Sequence, residues 1–182
     1  FRGEALSSIA SVSILELLSN HNNGSAGHRL RVEGGQIRGI EPAVREHGTT
    51  VTVRNLFFNT PARQKFLRSP QAEMRHINKT FRQIALAHTD VQFTLQRGDT
   101  TLQRLAPSTL QERIAQVFSE SVAEMLVPVD LEEGPLRLTG YIGKPQLGQS
   151  WRGDQFLYIN SRFVKNRGIS HAVLSGYGPA ID

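Results

Sequence analysis

The feature that most constrains the fold is a strand-turn-helix pattern between Gly48 and Arg63. Residues 49–54 read Thr-Thr-Val-Thr-Val-Arg, a β-rich alternating run that predicts a strand. The apolar residues 56–58 would then pack into a core. Thr60 is positioned to cap a short helix, and Pro61 suits its first position. Gly48-Thr49 at the start of the strand places a hydroxyl where it could meet a phosphate, although an ordinary strand-turn-helix unit explains the same residues.

Alternation and turn residues predict further strands and helices on both sides of this unit. Before it we expect a helix over 4–10, a strand over 12–18, and a hairpin of strands 28–33 and 36–40 turning at Gly34-Gly35. After it, Ser69-Pro70 opens a long helix to about Ala87. The apolar stripe of that helix is predicted to comprise Ile77, Phe81, Ile84, Ala85 and His88.

The second half of the chain mixes the two element types in the same way. A hairpin is predicted from strands 91–95 and 101–105, and Ser108 with Gln111 fits a capping box that opens a helix through Phe118. Two more strands are predicted over 136–142 and 155–160, and a last helix over 167–175. A domain boundary is expected between Gly98 and Pro107. The pattern therefore favours an α+β fold in two units.

Composition excludes several function classes. The 182 residues include no Cys, which removes thiol catalysis and thiolate zinc sites. His76, His88 and His171 are not at metal-binding spacing with a carboxylate, so no metal site is expected. No G-x-S-x-G elbow occurs, which leaves a hydrolase triad unsupported. No apolar run approaches the roughly 18 residues that a membrane span needs.

Positive charge is concentrated in one part of the chain. The net charge is +5, yet residues 29–82 hold eleven Lys and Arg against four Asp and Glu, a local balance of +7. Seventeen of the 21 basic residues are Arg, which favours bidentate contacts with phosphate or carboxylate. Two interpretations stay open on charge alone: a nucleic-acid footprint, or a solvated basic face.

The first residues, Phe1-Arg2-Gly3-Glu4-Ala5-Leu6-Ser7-Ser8, place a glycine just before a helix with small side chains. The first turn of such a helix leaves backbone N–H groups unpaired, and together with the helix dipole these groups suit an anion. Arg2 can add a charge-assisted contact. A plain capped helix is the alternative explanation.

Taken together, these strings resemble the MutL family of DNA mismatch-repair proteins. The family's GFRGEAL and GTTVxVxxLFxNTPARxKFL strings are present nearly letter for letter, in order and about forty residues apart. The later stretch Tyr158 to Arg167 is similar to the family's YVNGRxVxDR string, with Ser161 where Gly is usual. The resemblance runs from Phe1 to about Ala172. It argues against other ATPases of the same superfamily, such as gyrases and chaperones.

The resemblance implies a GHKL (Bergerat-type) ATPase. Residues 1–100 would be the later part of its α/β sandwich, and residues 105–182 the front of a ribosomal-protein-like α+β domain, the transducer. It places Arg2, Gly3, Glu4, Ala5 and Leu6 in the motif that wraps the ATP phosphates, with backbone N–H groups of Gly3 to Leu6 making the contacts. Glu4 is expected to act as a helix-start charge rather than a base. Thr49 would lie near the nucleotide, and Thr50 would serve the strand.

The same resemblance sets the expected limits on catalysis. The family's general base, its Mg²⁺-binding Asn and its adenine-binding DNGxG motif precede these strings in family order, and its activating Lys follows them. No Asp-Asn-Gly occurs in this chain. ATP and Mg²⁺ are therefore the expected cofactors of the intact protein, with the Mg²⁺ ligand and catalytic residue not expected here. Hydrolysis by this chain alone is not expected, and a sheet cut at Phe1 would have an open edge.

DNA binding is the other implied activity. Arg63, Lys65, Arg68 and Arg167 match positions along a basic groove that holds the DNA backbone without strong sequence preference. Implied partners are a mismatch-recognition protein of the MutS type, a downstream nuclease or helicase, and a second copy. ATP-driven closure and dimerisation would couple mismatch recognition to excision. The implied location is the bacterial cytoplasm and nucleoid, or a eukaryotic nucleus. The alternative is a DNA-backbone and partner-binding module without turnover.

Overall fold

A computed structural model describes residues 3–21, 26–150 and 155–178; the side chains of 148–150 are not described. The chain divides into two compact units, Phe1–Glu73 and Met74–Asp182. The predicted boundary at residues 98–107 lies within the second of them and stays a prediction. No helix in the described ranges is long and apolar enough to span a membrane.

The elements of the first unit are α1 (Ala5–Ala10), β1 (Ile14–Asn20), β2 (Gly27–Glu33), β3 (Gln36–Ala43), β4 (Gly48–Arg54) and α2 (Pro61–Gln64). The four strands form one antiparallel sheet in the order β3-β2-β1-β4. All six were predicted to within a few residues. Cross-strand pairing places Leu15 opposite both Val32 and Val53, so that apolar side chains share one face of the sheet.

The core of this unit lies where α1 meets that face. Ala10, Leu15 and Val32 are buried there, with Ile9 and Leu17 packed around them. Arginines of the sheet are partly neutralised within it: Arg29 pairs with Glu16 and Glu41, and Arg38 pairs with Glu33, all within 4 Å. The positive surplus of residues 29–82 is therefore carried mainly by residues outside the sheet.

In the described part of the chain, the second unit combines three hairpins with five helices. Its elements are α3 (Pro70–Ala87, which begins in the first unit), β5 (Phe93–Arg97), β6 (Thr100–Leu105), α4 (Leu110–Val117), α5 (Glu120–Glu124), β7 (Leu126–Glu133), β8 (Leu136–Gly143), α6 (Pro145–Ser150), β9 (Leu157–Ile159), β10 (Arg162–Val164) and α7 (Arg167–Tyr177). The hairpins pair β5 with β6, β7 with β8, and β9 with β10. Together the two units give the predicted α+β fold.

A small core and one buried arginine hold α3, β6 and α4 together. Ala85, Leu86, Leu105 and Val117 are buried against each other. Arg113 is fully buried, and its guanidinium donates to the backbone carbonyls of four residues at 2.7–3.1 Å: Ala85, Thr89, Val91 and Ala106. A buried cation is tolerated here because most of its donors have acceptors.

The structure corrects three local predictions. Thr60 precedes α2, but its hydroxyl makes no capping hydrogen bond, whereas Pro61 does occupy the start of the helix. The capping box lies one residue later than predicted, between Thr109 and Glu112 rather than Ser108 and Gln111. In α3, Ala85 of the predicted stripe is buried, but Ile77 and Ile84 are each 49% exposed and Leu86, outside the predicted stripe, is buried instead.

Candidate functional site

The start of α1 presents backbone groups to solvent. Gly3 adopts a left-handed conformation (φ +69°), and Glu4 occupies the N-cap position without a side-chain capping bond. Residues 3–8 are all exposed. Since the first N–H groups of a helix lack acceptors within the helix, this turn presents donors suited to an anion. Arg2, which was predicted to join them, lies outside the described residues.

Thr49 is the second residue of the edge strand β4, and its side chain bonds to the neighbouring strand β1. Its hydroxyl shares a hydrogen bond of 2.8 Å with the hydroxyl of Ser19 on β1. A hydroxyl can donate once and accept twice, and Thr49 is exposed, so capacity for a further partner is retained. The neighbouring Thr50 accepts from Arg45, which also donates to the carbonyl of Gly48 at 3.0 Å. The hydroxyl of Thr50 is thus bonded to the loop that precedes β4.

Three turns meet beyond the C-terminus of α1. The N–H of Gly35 donates to the carbonyl of Ala10 at 2.9 Å, and the N–H of Gly34 donates to Ser13 at 3.0 Å. From the turn after β4, the side-chain amide of Asn59 donates to the carbonyl of Ser11 at 2.9 Å. The second motif is therefore bonded directly to the end of α1, the helix that the first motif begins.

The turn that carries Asn59 leads into an exposed basic stretch, residues 61–68, hereafter the basic segment. It contains α2 and the predicted DNA-binding residues Arg63, Lys65 and Arg68, and every residue in it is exposed. Phe66 is 84% exposed beside them. The N–H of Arg68 donates to the carboxylate of Glu73 at 2.9 Å, which fixes the end of the segment at the start of α3. Three of the four residues predicted to bind DNA therefore lie on one exposed stretch.

Arg167 lies in the second unit, at the first position of α7, on the wall of an open cleft of about 470 Å³. One wall of this cleft is α3, through Lys79 and Gln83. The other is the end of β10 and the start of α7, where Lys165, Arg167 and His171 line the opening. The side chain of Asn166 caps α7 by accepting from the N–H of Ile169 at 3.0 Å.

Two cationic residues of this cleft, Lys79 and Lys165, were not predicted as site residues. Lys165 was within reach of the sequence argument, because it stands two positions before Arg167 in the motif itself. Lys79 gave no such signal, since its place opposite α7 depends on how α3 packs. In the described ranges, no group of three His, Cys, Asp or Glu side chains is arranged to hold a metal ion.

Comparison with known proteins agrees with this geometry. Residues 114–182 match the family described as DNA mismatch repair protein, C-terminal domain. The chain is 40% identical over 177 residues to MutL of Geobacter sulfurreducens and 37% identical to MutL of Christiangramia forsetii, in each case across 97% of this chain and 29% of the relative. The chain therefore spans under a third of the length of these relatives.

A solved structure gives the same result at the level of the fold. The Aquifex aeolicus MutL ATPase domain complexed with ADP superposes with a TM-score of 0.78 at 30% identity, covering 94% of this chain and 67% of that one. The fold is thus that of the GHKL ATPase domain of mismatch-repair proteins. The chain belongs to the MutL family.

Proposed function

We propose that this chain is the part of an ATP-dependent mismatch-repair protein that holds nucleotide phosphates at α1 and the DNA backbone along its basic surfaces. The observation that supports DNA binding is the basic segment, in which Arg63 and Lys65 are exposed and α2 has no buried residue. Exposed Lys and Arg side chains bind DNA phosphates with little dependence on the nucleotide sequence.

The cleft beside Arg167 supports the same role in the second unit. Lys79 and Lys165 lie on its two walls, and the N-terminus of α7 adds the partial positive charge of a helix dipole. A duplex carries one negative charge per about 1.7 Å of axis, so a surface with several cations binds it mainly through phosphate contacts and counterion release. This arrangement predicts affinity that falls steeply with salt.

The nucleotide half rests on α1 and β4. Backbone N–H groups of Gly3, Glu4, Ala5 and Leu6 fit a phosphate group, because the turn is exposed and its donors lack partners within the helix. The hydroxyl of Thr49 is expected to lie near the nucleotide, and Arg2 to add charge. When bound, ATP would supply the free energy that closes the protein around it. Mg²⁺ is expected to take its protein ligand from elsewhere.

The remaining roles concern the whole protein. They are ATP-driven closure, dimerisation with a second copy, coupling to a MutS-type mismatch-recognition protein, and activation of a downstream nuclease or helicase. The support for them is membership of the MutL family, whose sampled bacterial members are more than three times as long as this chain. The proposed location is the bacterial cytoplasm and nucleoid, or the nucleus of a eukaryote.

The experiment is a salt titration of binding between this chain and duplexes of unrelated sequence. We expect similar affinity for all duplexes and a linear fall of log K with log salt. Lys65→Glu with Arg68→Glu should lower affinity about tenfold or more and reduce the slope by about one to two. Arg97→Glu with Arg104→Glu, on the β5–β6 hairpin, makes the same change in net charge and is the control. An equal loss in the control, or an unchanged slope, would overturn the proposed DNA surface.

A further inference from the structure

The basic segment has few internal means of holding its place. None of its side chains is buried, and α2 has only four residues, too short to be stable by itself. The bond between Arg68 and Glu73 holds the segment's last residue at α3, whereas its first residues follow directly from a turn that is bonded to the rest of the first unit. There the side chain of Asn59 donates to Ser11, and the N–H of Phe57 donates to the carbonyl of Val12 at 2.6 Å. The start of the segment, α2 with Lys65 at its end, is therefore positioned by these bonds.

Ser11 is also the C-cap residue of α1. The last carbonyls of a helix lack partners within it, and here Gly35 satisfies Ala10 while Asn59 satisfies Ser11. A helix of six residues is about 9 Å long, so the carbonyl that Asn59 caps lies about that far from the exposed first turn. The Asn59 side chain thus links the end of α1 directly to the turn that begins the basic segment.

The backbone of this turn is conformationally constrained. Asn55 (φ +51°) and Phe57 (φ +65°) both adopt the left-handed region, which is uncommon for a bulky aromatic residue. Such conformations persist when surrounding contacts impose them, and they are frequent in switch regions. The turn is also closely fitted, because a Cβ added at Gly34 would lie 3.3 Å from the Asn59 side-chain nitrogen.

We propose that Asn59 is a positioning residue that couples α1 to the basic segment, so that a change in the order of one is transmitted to the other. The inference rests on the proposed function in assigning nucleotide phosphates to α1 and DNA to the basic segment. The physical link itself is independent of both ligands. In the protein, this coupling would make DNA contact at Lys65 and nucleotide contact at α1 favour one another, because coupling between two sites is reciprocal.

The first test uses no ligand and measures amide hydrogen exchange in the 182-residue chain. Asn59→Asp keeps the shape but replaces the donor with an acceptor facing a carbonyl. We expect exchange to become about fivefold faster, both in α1 and in residues 61–68, while the β1–β2 amides are unchanged. Asn55→Asp makes the same chemical change in the same turn and should have little effect on α1. Ser11→Ala, which keeps the accepting carbonyl, should leave residues 61–68 as in the wild type.

Acceleration in only one of the two segments would overturn the coupling, as would an equal response to Asn55→Asp. If Asn59→Asp also loosens the sheet, Asn59→Ala replaces it, since alanine removes the donor without adding charge. The same pattern in α1 and the basic segment is then required.

The second test adds a duplex of random sequence. In the wild type we expect slower exchange in both segments, and in the Asn59 variant in the basic segment alone. A wild-type response confined to the basic segment would contradict the coupling. Failure of the duplex to bind would instead contradict the proposed DNA function, and the ligand-free comparison would still decide the role of Asn59.

Discussion

The phenol of Tyr158 donates a hydrogen bond to the backbone carbonyl of Gln83, with 2.9 Å between the two oxygens. This bond joins β9 to the middle of α3, and Gln83 lines the cleft that contains Arg167. The ring of Tyr158 also packs edge-on against Phe163. One side chain therefore connects the two walls that carry the cleft's basic residues.

Burial raises the pKa of Tyr158 to about 12. Because the unfolded chain loses this proton near pH 10 and the folded chain retains it to about pH 12, stability should fall as pH rises between these values. Tyr158→Phe should remove this component of the alkaline loss while costing about 1 kcal/mol at neutral pH. Urea unfolding of both proteins at pH 7, 9 and 11 measures it, and parallel losses would refute the assignment.

Arg113→Lys should strongly destabilise the second unit. An ammonium group cannot reproduce the fork of donors that a guanidinium presents, so several buried carbonyls would lose their partners. We expect a loss of about 3 kcal/mol or more, measured by urea unfolding. Arg97→Lys, at an exposed position on β5, should change stability by less than about 0.5 kcal/mol. Similar values for the two variants would contradict the role assigned to Arg113.

The capping box of α4 predicts different effects on stability for substitutions at the adjacent residues Ser108 and Thr109. Thr109→Ala should cost about 1 kcal/mol, whereas Ser108→Ala should cost less because Ser108 makes no capping bond in the described structure. Urea unfolding of the two variants measures the difference.

Hydrogen bonds from Thr109 hold the pKa of Glu112 below its ordinary value. The stabilising contribution of Glu112 is therefore present at neutral pH and is lost as pH falls through that lowered pKa. Acid titration of α4 helicity in Glu112→Gln, which lacks this transition, is the control.

A substitution at Gly3 tests the nucleotide proposal. Its φ of +69° costs an L-residue about 1–2 kcal/mol, so Gly3→Ala should distort the turn before α1 and weaken ADP binding about tenfold. Gly39→Ala is the matched control, because an added Cβ there meets no atom within 4 Å and φ is ordinary. Calorimetric titration with ADP measures both. Unchanged affinity in Gly3→Ala would remove this turn from the proposed phosphate site.

The sequence predicted helices and strands well where the local signals were strong. It predicted them poorly where the element was short or depended on tertiary packing. The hairpin turning at Gly34-Gly35 was correct because its alternation and its turn residues agree. Strand β7 was not predicted, since Pro128 and its acidic residues are atypical of strands, and β10 has only three residues. The burial of Leu86 instead of Ile84 depends on what α3 packs against, which periodicity alone does not specify.

For the candidate site, the sequence predicted residues but not the contacts between them, and it did not indicate Lys79 or Lys165. Gly3, Thr49 and Lys65 follow from recognisable strings. The bond between Asn59 and Ser11 does not, because it joins residues 48 positions apart through a turn whose left-handed backbone no pattern indicated. Predicting that Lys79 and Arg167 line the same cleft would likewise require knowing how α3 packs.

The buried guanidinium of Arg113 has a consequence for how the second unit comes apart. Its four acceptors belong to the end of α3, the loop before β5, and the loop between β6 and α4. None of these segments can open alone without leaving a buried cation short of acceptors. Residues 85–113 should therefore resist limited proteolysis as one block, and cleavage within them should appear only when the whole unit unfolds.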